Sequence, residues 1–145
     1  MRRLQWTFLL AACILAALPN DAVAQQAAST TRSTQSGVYT AEQALRGRDV
    51  YAGMCQSCHT AASHTGAVFQ NSWGGRPLLD LFAFIVQRMP KNEPGTLSRE
   101  EYTDVLAYLL KMNQMPDGPT ELSTDTTALR AIRIETTGSS NTHPE

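Results

Sequence analysis

The sequence is poor in several features that would point to other classes of protein. Its 145 residues allow at most one modest domain with additional terminal segments, which excludes a large two-domain enzyme. Twelve Lys and Arg against 13 Asp and Glu leave a formal charge of -1, so no basic excess indicates nucleic acid or acidic lipid as a partner. Only 7% of the residues are aromatic and only three are cysteines, so the core is thin and the cysteines cannot all pair with one another. A domain of this kind often depends on a bound metal or cofactor for stability.

The chain also lacks internal repeats and any sustained alternation of apolar and polar residues, which argues against repeat folds and β-sheets. Helix signals are present instead. Thr40 with Gln43 has the pattern of a capping box and predicts a helix over residues 41–54. Pro77 suits the first turn of a second helix, whose apolar residues recur at helical spacing until Pro90 ends it.

Two further helices are predicted towards the carboxyl end. Ser98 with Glu101 forms another capping-box pattern, and an apolar stripe follows it to about Asn113. A short fourth helix is predicted over residues 126–132. The sequence therefore predicts an all-α fold whose loops are long enough to enclose a ligand.

The amino terminus has the form of a cleaved secretory signal over residues 1–24. Arg2 and Arg3 precede an almost wholly apolar run and the small-x-small sequence Ala22-Val23-Ala24. The run is shorter than the roughly 20 residues of a membrane span, so an uncleaved anchor is the weaker alternative. A lipoprotein signal with Cys13 as the lipidated residue is another alternative, although apolar residues continue beyond it. We expect an exported, periplasmic protein.

The rest of the chain divides by composition into three parts. Residues 25–37 are rich in Gln, Ser and Thr, cannot bury much apolar surface, and are predicted to form a flexible linker. Residues 136–145 have the same character and are predicted to be a disordered tail. The folded domain is expected over residues 38–135.

The sequence CQSCH at residues 55–59 has the form CxxCH, the attachment sequence for haem c. Cys55 and Cys58 would bind one porphyrin through thioethers, and His59 would be the proximal iron ligand. A thioredoxin-like redox site would need a βαβ setting, which the helical pattern does not provide. A zinc site would need two further ligands at metal spacing, where only His64 and His143 remain. We therefore expect one covalently bound haem c.

A second axial ligand is expected among the methionines that follow the signal, which are Met54, Met89, Met112 and Met115. Met89 is favoured because it lies thirty residues after His59 and because Pro90 would stiffen the loop that presents it. Met115, also followed by proline, is the alternative. His64 is too near His59 in sequence to reach the other face of the porphyrin easily, and it is interpreted as a solvated loop histidine.

Residues around the motif resemble those of the class I cytochromes c. Gly47 lies eight residues before Cys55 and Tyr51 four before it, while Val105 and Tyr108 fall in the segment VLAYLL of the last long helix. In that family the first and last helices cross at a small glycine between interleaved aromatic side chains. The resemblance implies a cytochrome c-like helical fold wrapped around one covalently attached haem.

A narrower resemblance covers residues 73–118 and continues into ELSTD and ALRAIRI. It is to small periplasmic cytochromes and to cytochrome domains that accompany quinoprotein dehydrogenases. It implies that Met89 supplies the distal ligand and that Trp73 and Arg76 lie near the haem propionates, where an indole N–H and a guanidinium could bind carboxylates. One departure is Thr60, which stands where many relatives have glycine after the motif histidine.

The expected function is electron transfer by a periplasmic single-haem cytochrome. With both axial positions filled, the iron has no site for a substrate, so the protein is not expected to be an enzyme. The expected partners are a redox donor and a redox acceptor, one of them a quinoprotein dehydrogenase on the strength of the resemblance. The alternatives are a haem enzyme or gas-responsive sensor with a displaceable distal ligand, and a fixed cytochrome subunit of a dehydrogenase complex.

Overall fold

The computed structural model describes residues 32–135, and these form a mostly helical domain. The all-α prediction is confirmed. The helices are α1 (Ala41–Met54), α2 (Gly66–Trp73), α3 (Leu78–Arg88), α4 (Arg99–Met112) and α5 (Thr126–Arg130), with 3-10 turns at Thr34–Ser36 and Ala61–His64 and short strands β1 (Arg32–Ser33) and β2 (Ile132–Arg133). None of the helices in this range has the length and apolar character to cross a membrane.

Helices α1 and α4 pack against each other more extensively than any other pair in the described residues. Their backbones meet at Gly47, which is buried in α1. A Cβ atom placed there would overlap the backbone of α4 at Asp104 and Val105, so only glycine allows the crossing. The close approach predicted at Gly47 is confirmed, and it fixes the end of α1 that leads into the CxxCH motif.

Local signals account for the boundaries of the three longer helices. Thr40 caps α1 by accepting a hydrogen bond from the backbone N–H of Gln43 at 3.1 Å. Pro77 precedes α3, which ends at Arg88. Ser98 and Glu101 form a complete, reciprocal capping box at the start of α4.

The capping box predicted for α1 is only half formed, because the side chain of Gln43 has another partner. Its Nε2 donates to the carbonyl of Leu122 at 3.1 Å, and the N–H of Leu122 donates to Oε1 at 2.7 Å. Gln43 is 2% exposed, so this pairing gives both polar atoms of a buried amide a hydrogen-bond partner. It ties α1 to the segment that leads into α5.

The short helix predicted over residues 126–132 is two residues shorter in the structure. It ends at Arg130, and Ile132 belongs to β2, where it is buried. Ile132 therefore contributes to the core from an extended backbone and not from a helix face. The structure also contains α2, which is not among the helices predicted from the sequence.

The linker predicted for residues 25–37 differs from the structure from residue 32 onwards. Strand β1 pairs in parallel with β2, and Thr34 is fully buried. Thr34 Oγ1 accepts from the N–H of Glu135 at 3.0 Å and Gln35 Nε2 donates to its carbonyl at 2.8 Å. The polar side chains of Thr34 and Gln35 are ordered here because they serve as hydrogen-bond partners for the backbone of Glu135. The low apolar content of the segment does not reveal this role. The predicted signal over 1–24, Cys13, residues 25–31 and the tail over 136–145 lie outside the described residues.

Candidate cofactor site

The residues of the CxxCH motif and Met89 line one cavity of about 810 Å³. The end of α1 and the turn after it contribute the motif, and the end of α3 contributes the methionine. Apolar side chains from α2, α3 and α4 form much of the remaining wall, and they include Phe69, Leu81, Phe84, Ile85, Val105 and Leu109. The structure thus brings together five of the six predicted site residues, Trp73 included, across as many as 34 positions in sequence from Cys55 to Met89.

Backbone hydrogen bonds hold the motif in a turn that continues α1. The N–H of Cys55 donates to Tyr51 at 2.9 Å, and the carbonyl of Cys55 accepts from Cys58 at 3.1 Å and from His59 at 3.0 Å. The two cysteines are therefore one helical turn apart, as attachment to a single porphyrin requires. Thr60 has φ -84°, a conformation open to any residue, so its replacement of glycine causes no strain.

Both cysteine side chains within residues 32–135 are free thiols. Cys55 is half-buried and Cys58 is exposed. Burial raises the pKa of the Cys55 thiol, because the thiolate loses solvation. Neither sulfur is held in a disulfide, so both are available for attachment to a cofactor.

His64 differs from the solvated loop histidine predicted from the sequence. It is half-buried and lines the cavity, with its ring centroid 4.6 Å from that of His59 and 6.0 Å from that of Tyr51. Asn113 fixes this segment by donating from Nδ2 to the carbonyl of His64 at 2.8 Å. Burial lowers the pKa of His64, and the neighbouring His59 lowers it further, so the neutral ring is favoured.

Met89 and Met115 occupy different environments. Met89 caps the carboxyl end of α3, where its N–H donates to Ile85 at 2.9 Å, and it lines the cavity. Met115 is 3% exposed in the hydrophobic core and is absent from the cavity wall. Met54 also reaches the cavity, although it is 45% exposed at the end of α1. This geometry favours Met89 over Met115 as the second axial ligand.

Trp73 and Arg76 lie at different distances from the cavity. Trp73 lines it and packs against Phe84 with ring centroids 5.4 Å apart. The guanidinium of Arg76 stands 5.0 Å from the Trp73 ring and pairs with Asp80 at 2.9 Å, so it is not itself part of the wall. The predicted contacts of both residues with haem propionates stay predictions.

Backbone pairing with the end of the domain fixes the loop that carries Arg76. The N–H of Gly75 donates to the carbonyl of Ile134 at 2.8 Å, and the N–H of Ile134 donates to the carbonyl of Arg76 at 2.9 Å. Arg133 also donates to the carbonyl of Gly75. The chain that follows the cavity-lining Trp73 is thus held by residues near the carboxyl end of the described range.

Sequence reasoning missed two contributors to the site. Helix α2 places Phe69 in the cavity wall and ends at Trp73, but Thr65 gives its first turn no side-chain cap that a pattern could reveal. The sequence places Tyr102 in the apolar stripe that follows Ser98 and gives no sign of a polar role. Its ring does line the cavity, but its hydroxyl also bonds to the backbone of Met89.

The donor set around the cavity suits haem c. Two thiols one turn apart, an imidazole directly after them and a thioether sulfur are the groups that attach this cofactor and fill its two axial positions. No group of three or more His, Cys, Asp or Glu side chains placed to hold a metal ion occurs within residues 32–135. The apolar wall is suited to the hydrophobic surface of a porphyrin.

Residues 42–109 match the family described as cytochrome c oxidase, cbb3-type, subunit III. The matched range contains the CxxCH motif, the cavity-lining part of α3, Met89 and most of α4. Comparison with curated proteins and with solved structures gave no match. The family to which these residues are similar is one of cytochrome c domains, which bind haem c and generally carry electrons.

Proposed function

Since the family match over residues 42–109 supports a class I c-type cytochrome, we propose that this protein is a periplasmic electron carrier with one covalently bound haem c. The observation that carries the proposal is the convergence of Cys55, Cys58, His59 and Met89 on one apolar cavity. Cys55 and Cys58 would hold the cofactor through thioethers, and His59 and Met89 would bind its iron. When bound, haem c supplies a one-electron couple between ferric and ferrous iron.

The chain controls this couple through its ligands and its cavity wall. The sulfur of Met89 is soft and neutral, which favours the ferrous state relative to a second imidazole. The apolar side chains of the wall, such as Phe69 and Ile85, exclude water and favour the less charged state of a buried group. Both effects raise the reduction potential. With both axial positions filled, we expect no catalytic activity of the protein itself.

Partner contact is proposed at the rim of the cavity. Met54 and Phe84 both line the cavity and are 45% and 43% exposed, so they offer a small apolar contact of the kind used in brief redox encounters. One electron enters from a reduced donor protein and leaves to an oxidised acceptor protein. The resemblance over residues 73–118 supports a quinoprotein dehydrogenase as the donor.

Export is proposed from the secretory signal over residues 1–24, which carries the protein to the compartment where such partners act. Mass spectrometry of the purified periplasmic protein tests this directly. The expected mass is that of a chain beginning at Gln25 plus one haem. A chain without added haem mass contradicts the proposal. A lipid on Cys13 would show that the exported protein is anchored to a membrane and not released by cleavage after Ala24.

A pair of variants tests the ligand assignment. We expect Met89→Leu to lose the weak far-red band of Met-ligated ferric haem and to bind carbon monoxide rapidly in the ferrous form. Met115→Leu is the matched control, since this core methionine is not in the cavity wall, and it should keep the band. An unchanged spectrum in Met89→Leu would contradict the assignment.

The same preparation separates the proposal from its alternatives. Rapid binding of carbon monoxide by the native ferrous protein would favour a haem enzyme or gas sensor. Purification with a dehydrogenase at fixed stoichiometry through high salt would favour a permanent subunit, because salt weakens transient electrostatic contacts. A carrier should bind carbon monoxide slowly and purify alone.

A further inference from the structure

We propose that Tyr102 is a positioning residue that keeps Met89 in place by fastening both ends of the loop from Met89 to Gly95 onto helix α4. This inference rests on the proposed function, because it assigns a role to Tyr102 through the methionine that serves as axial ligand. It goes further by identifying what prevents the ligand from leaving and therefore what keeps the protein an electron carrier.

The hydroxyl of Tyr102 is shared by the two ends of this loop. It donates a hydrogen bond to the carbonyl oxygen of Met89 at 2.7 Å and accepts one from the N–H of Gly95 at 3.0 Å. Tyr102 is 3% exposed and lies in the first turn of α4. Its anchor point is therefore a rigid, buried element, and one oxygen atom joins the loop to it twice.

The loop has few other means of staying in place. Residues 91–96 are all exposed, and within the loop the N–H of Glu93 donates to the carbonyl of Pro90 at 3.0 Å. Gly95 has φ +80°, the left-handed conformation that glycine adopts without strain, and this turns the chain so that its N–H meets the tyrosine. A segment with so little buried surface is expected to open readily unless specific bonds hold it.

The tyrosine ring and its hydroxyl have separable roles. The ring lines the cavity and packs in the core, a role that phenylalanine would also fill. The hydroxyl makes only the two loop contacts among the described residues. Tyr102→Phe thus removes both hydrogen bonds to the loop and keeps an aromatic ring in the cavity wall.

Loss of the hydroxyl should raise the population of the state in which Met89 is detached. Two neutral hydrogen bonds to backbone groups correspond to a factor on the order of ten to one hundred in such an equilibrium. The axial bond of the resting protein should survive, so the far-red band is expected to remain. The detached state should be detected with a ligand such as carbon monoxide, which binds only where an axial position of the iron is free.

The experiment compares Tyr102→Phe, Tyr108→Phe and Met89→Leu in the haem-loaded full chain. Tyr108 is a matched control because it lies on the same helix, does not line the large cavity, and has no hydrogen bond from its hydroxyl within residues 32–135. The readouts are the far-red band, the rate of carbon monoxide binding by ferrous protein, and hydrogen exchange of the Gly95 amide. Met89→Leu defines the behaviour of a site whose ligand is gone.

We expect Tyr102→Phe to keep the far-red band, to bind carbon monoxide roughly ten to one hundred times faster than the native protein, and to exchange the Gly95 amide faster. Tyr108→Phe should stay within about twofold of the native rate, since it breaks no loop contact. The proposal is overturned if Tyr102→Phe matches the native protein in both rates while Met89→Leu has lost the band.

A different outcome would contradict the assignment of Met89 as the iron ligand. If Met89→Leu keeps the band and the slow binding of carbon monoxide, Met89 is not the ligand and the role given to Tyr102 falls with it. If Tyr102→Phe does not fold, the native protein provides the test. The Gly95 amide should then exchange more slowly than that of the exposed Asn92, and equal rates would overturn the fastening.

Discussion

A Cβ atom on Gly47 would lie 1.8 Å from the backbone carbonyl oxygen of Asp104, which is far inside van der Waals contact. The neighbouring Arg46 pairs with the carboxylate of the same Asp104 through two hydrogen bonds of 2.9 and 3.0 Å. Helix α1 therefore contacts α4 through backbone atoms at Gly47 and through a salt bridge at Arg46. This crossing sets where α1 ends, and so where Cys55 begins the attachment motif.

The crossing predicts that Gly47→Ala lowers the free energy of unfolding by more than about 3 kcal/mol, because two helix backbones must separate to admit one methyl group. Gly53→Ala is the matched control in the same helix. No heavy atom lies within 4 Å of a Cβ there, so alanine should stabilise α1 by up to about 1 kcal/mol. Denaturant unfolding of the haem-loaded variants measures both, and equal effects would contradict the crossing.

Gln43→Ala should destabilise the protein by about 1–3 kcal/mol, since it leaves the N–H and carbonyl of Leu122 without their partner. Gln87→Ala, at an exposed position of α3, should change stability by less than about 0.5 kcal/mol. The same unfolding measurement compares them. A small effect of Gln43→Ala would mean that water replaces the lost bonds without cost.

We expect the protein to lose stability at alkaline pH, because the phenol of Tyr39 is buried. Burial, with a smaller effect of Asp117, raises its pKa from 10.0 to about 12. Because the folded state favours the neutral phenol, this contribution is fully present below pH 10 and is lost as the pH rises towards 12. The loss should reach about 1–3 kcal/mol.

Tyr39→Phe is the control for this pH dependence. It lacks the ionisable group and also the hydrogen bond of 2.5 Å to the carbonyl of Met115, so it should be less stable at neutral pH. The free energy of unfolding should then differ less between native and variant protein as the pH rises from 9 to 11.5. A difference that does not change with pH would contradict the assigned pKa.

Thr34→Val should cost about 1–3 kcal/mol, because the fully buried Thr34 hydroxyl is lost and the N–H of Glu135 is left without its acceptor. It should also speed tryptic cleavage after Arg32, which pairs with Ile132 in the strand ladder. Thr127→Val, at an exposed position of α5, provides the control. Equal rates of cleavage in the native protein, Thr34→Val and Thr127→Val would mean that residues 32–37 do not unfold together with the rest of the domain.

The features that could be predicted from sequence are those encoded by neighbouring residues. The starts of α1 and α4 follow from Thr40 and Ser98, whose side chains cap residues three positions away. The cofactor chemistry follows from the spacing of Cys55, Cys58 and His59 within one turn. Gly47 could be interpreted only through a resemblance, because its partner lies far along the chain.

The features that could not be predicted depend on distant partners. Strands β1 and β2 pair residues about 100 positions apart, and polar residues such as Thr34 give no local sign of that pairing. Gln43 matches a capping box in sequence, yet its side chain bonds to Leu122 in space. The hydroxyl of Tyr102 is likewise directed by the path of a loop and not by the apolar stripe in which it occurs.

The parallel pairing of β1 with β2 also determines how the domain responds to mechanical load. A force that pulls Arg32 and Glu135 in opposite directions acts along both strands, so their cross-links must break together and not one after another. The hydrogen bond between Gly75 and Ile134 carries part of the same force into the loop that follows Trp73. A pull between Arg32 and Glu135 is therefore resisted in shear by the strand pair and is also felt by a loop next to the cavity wall.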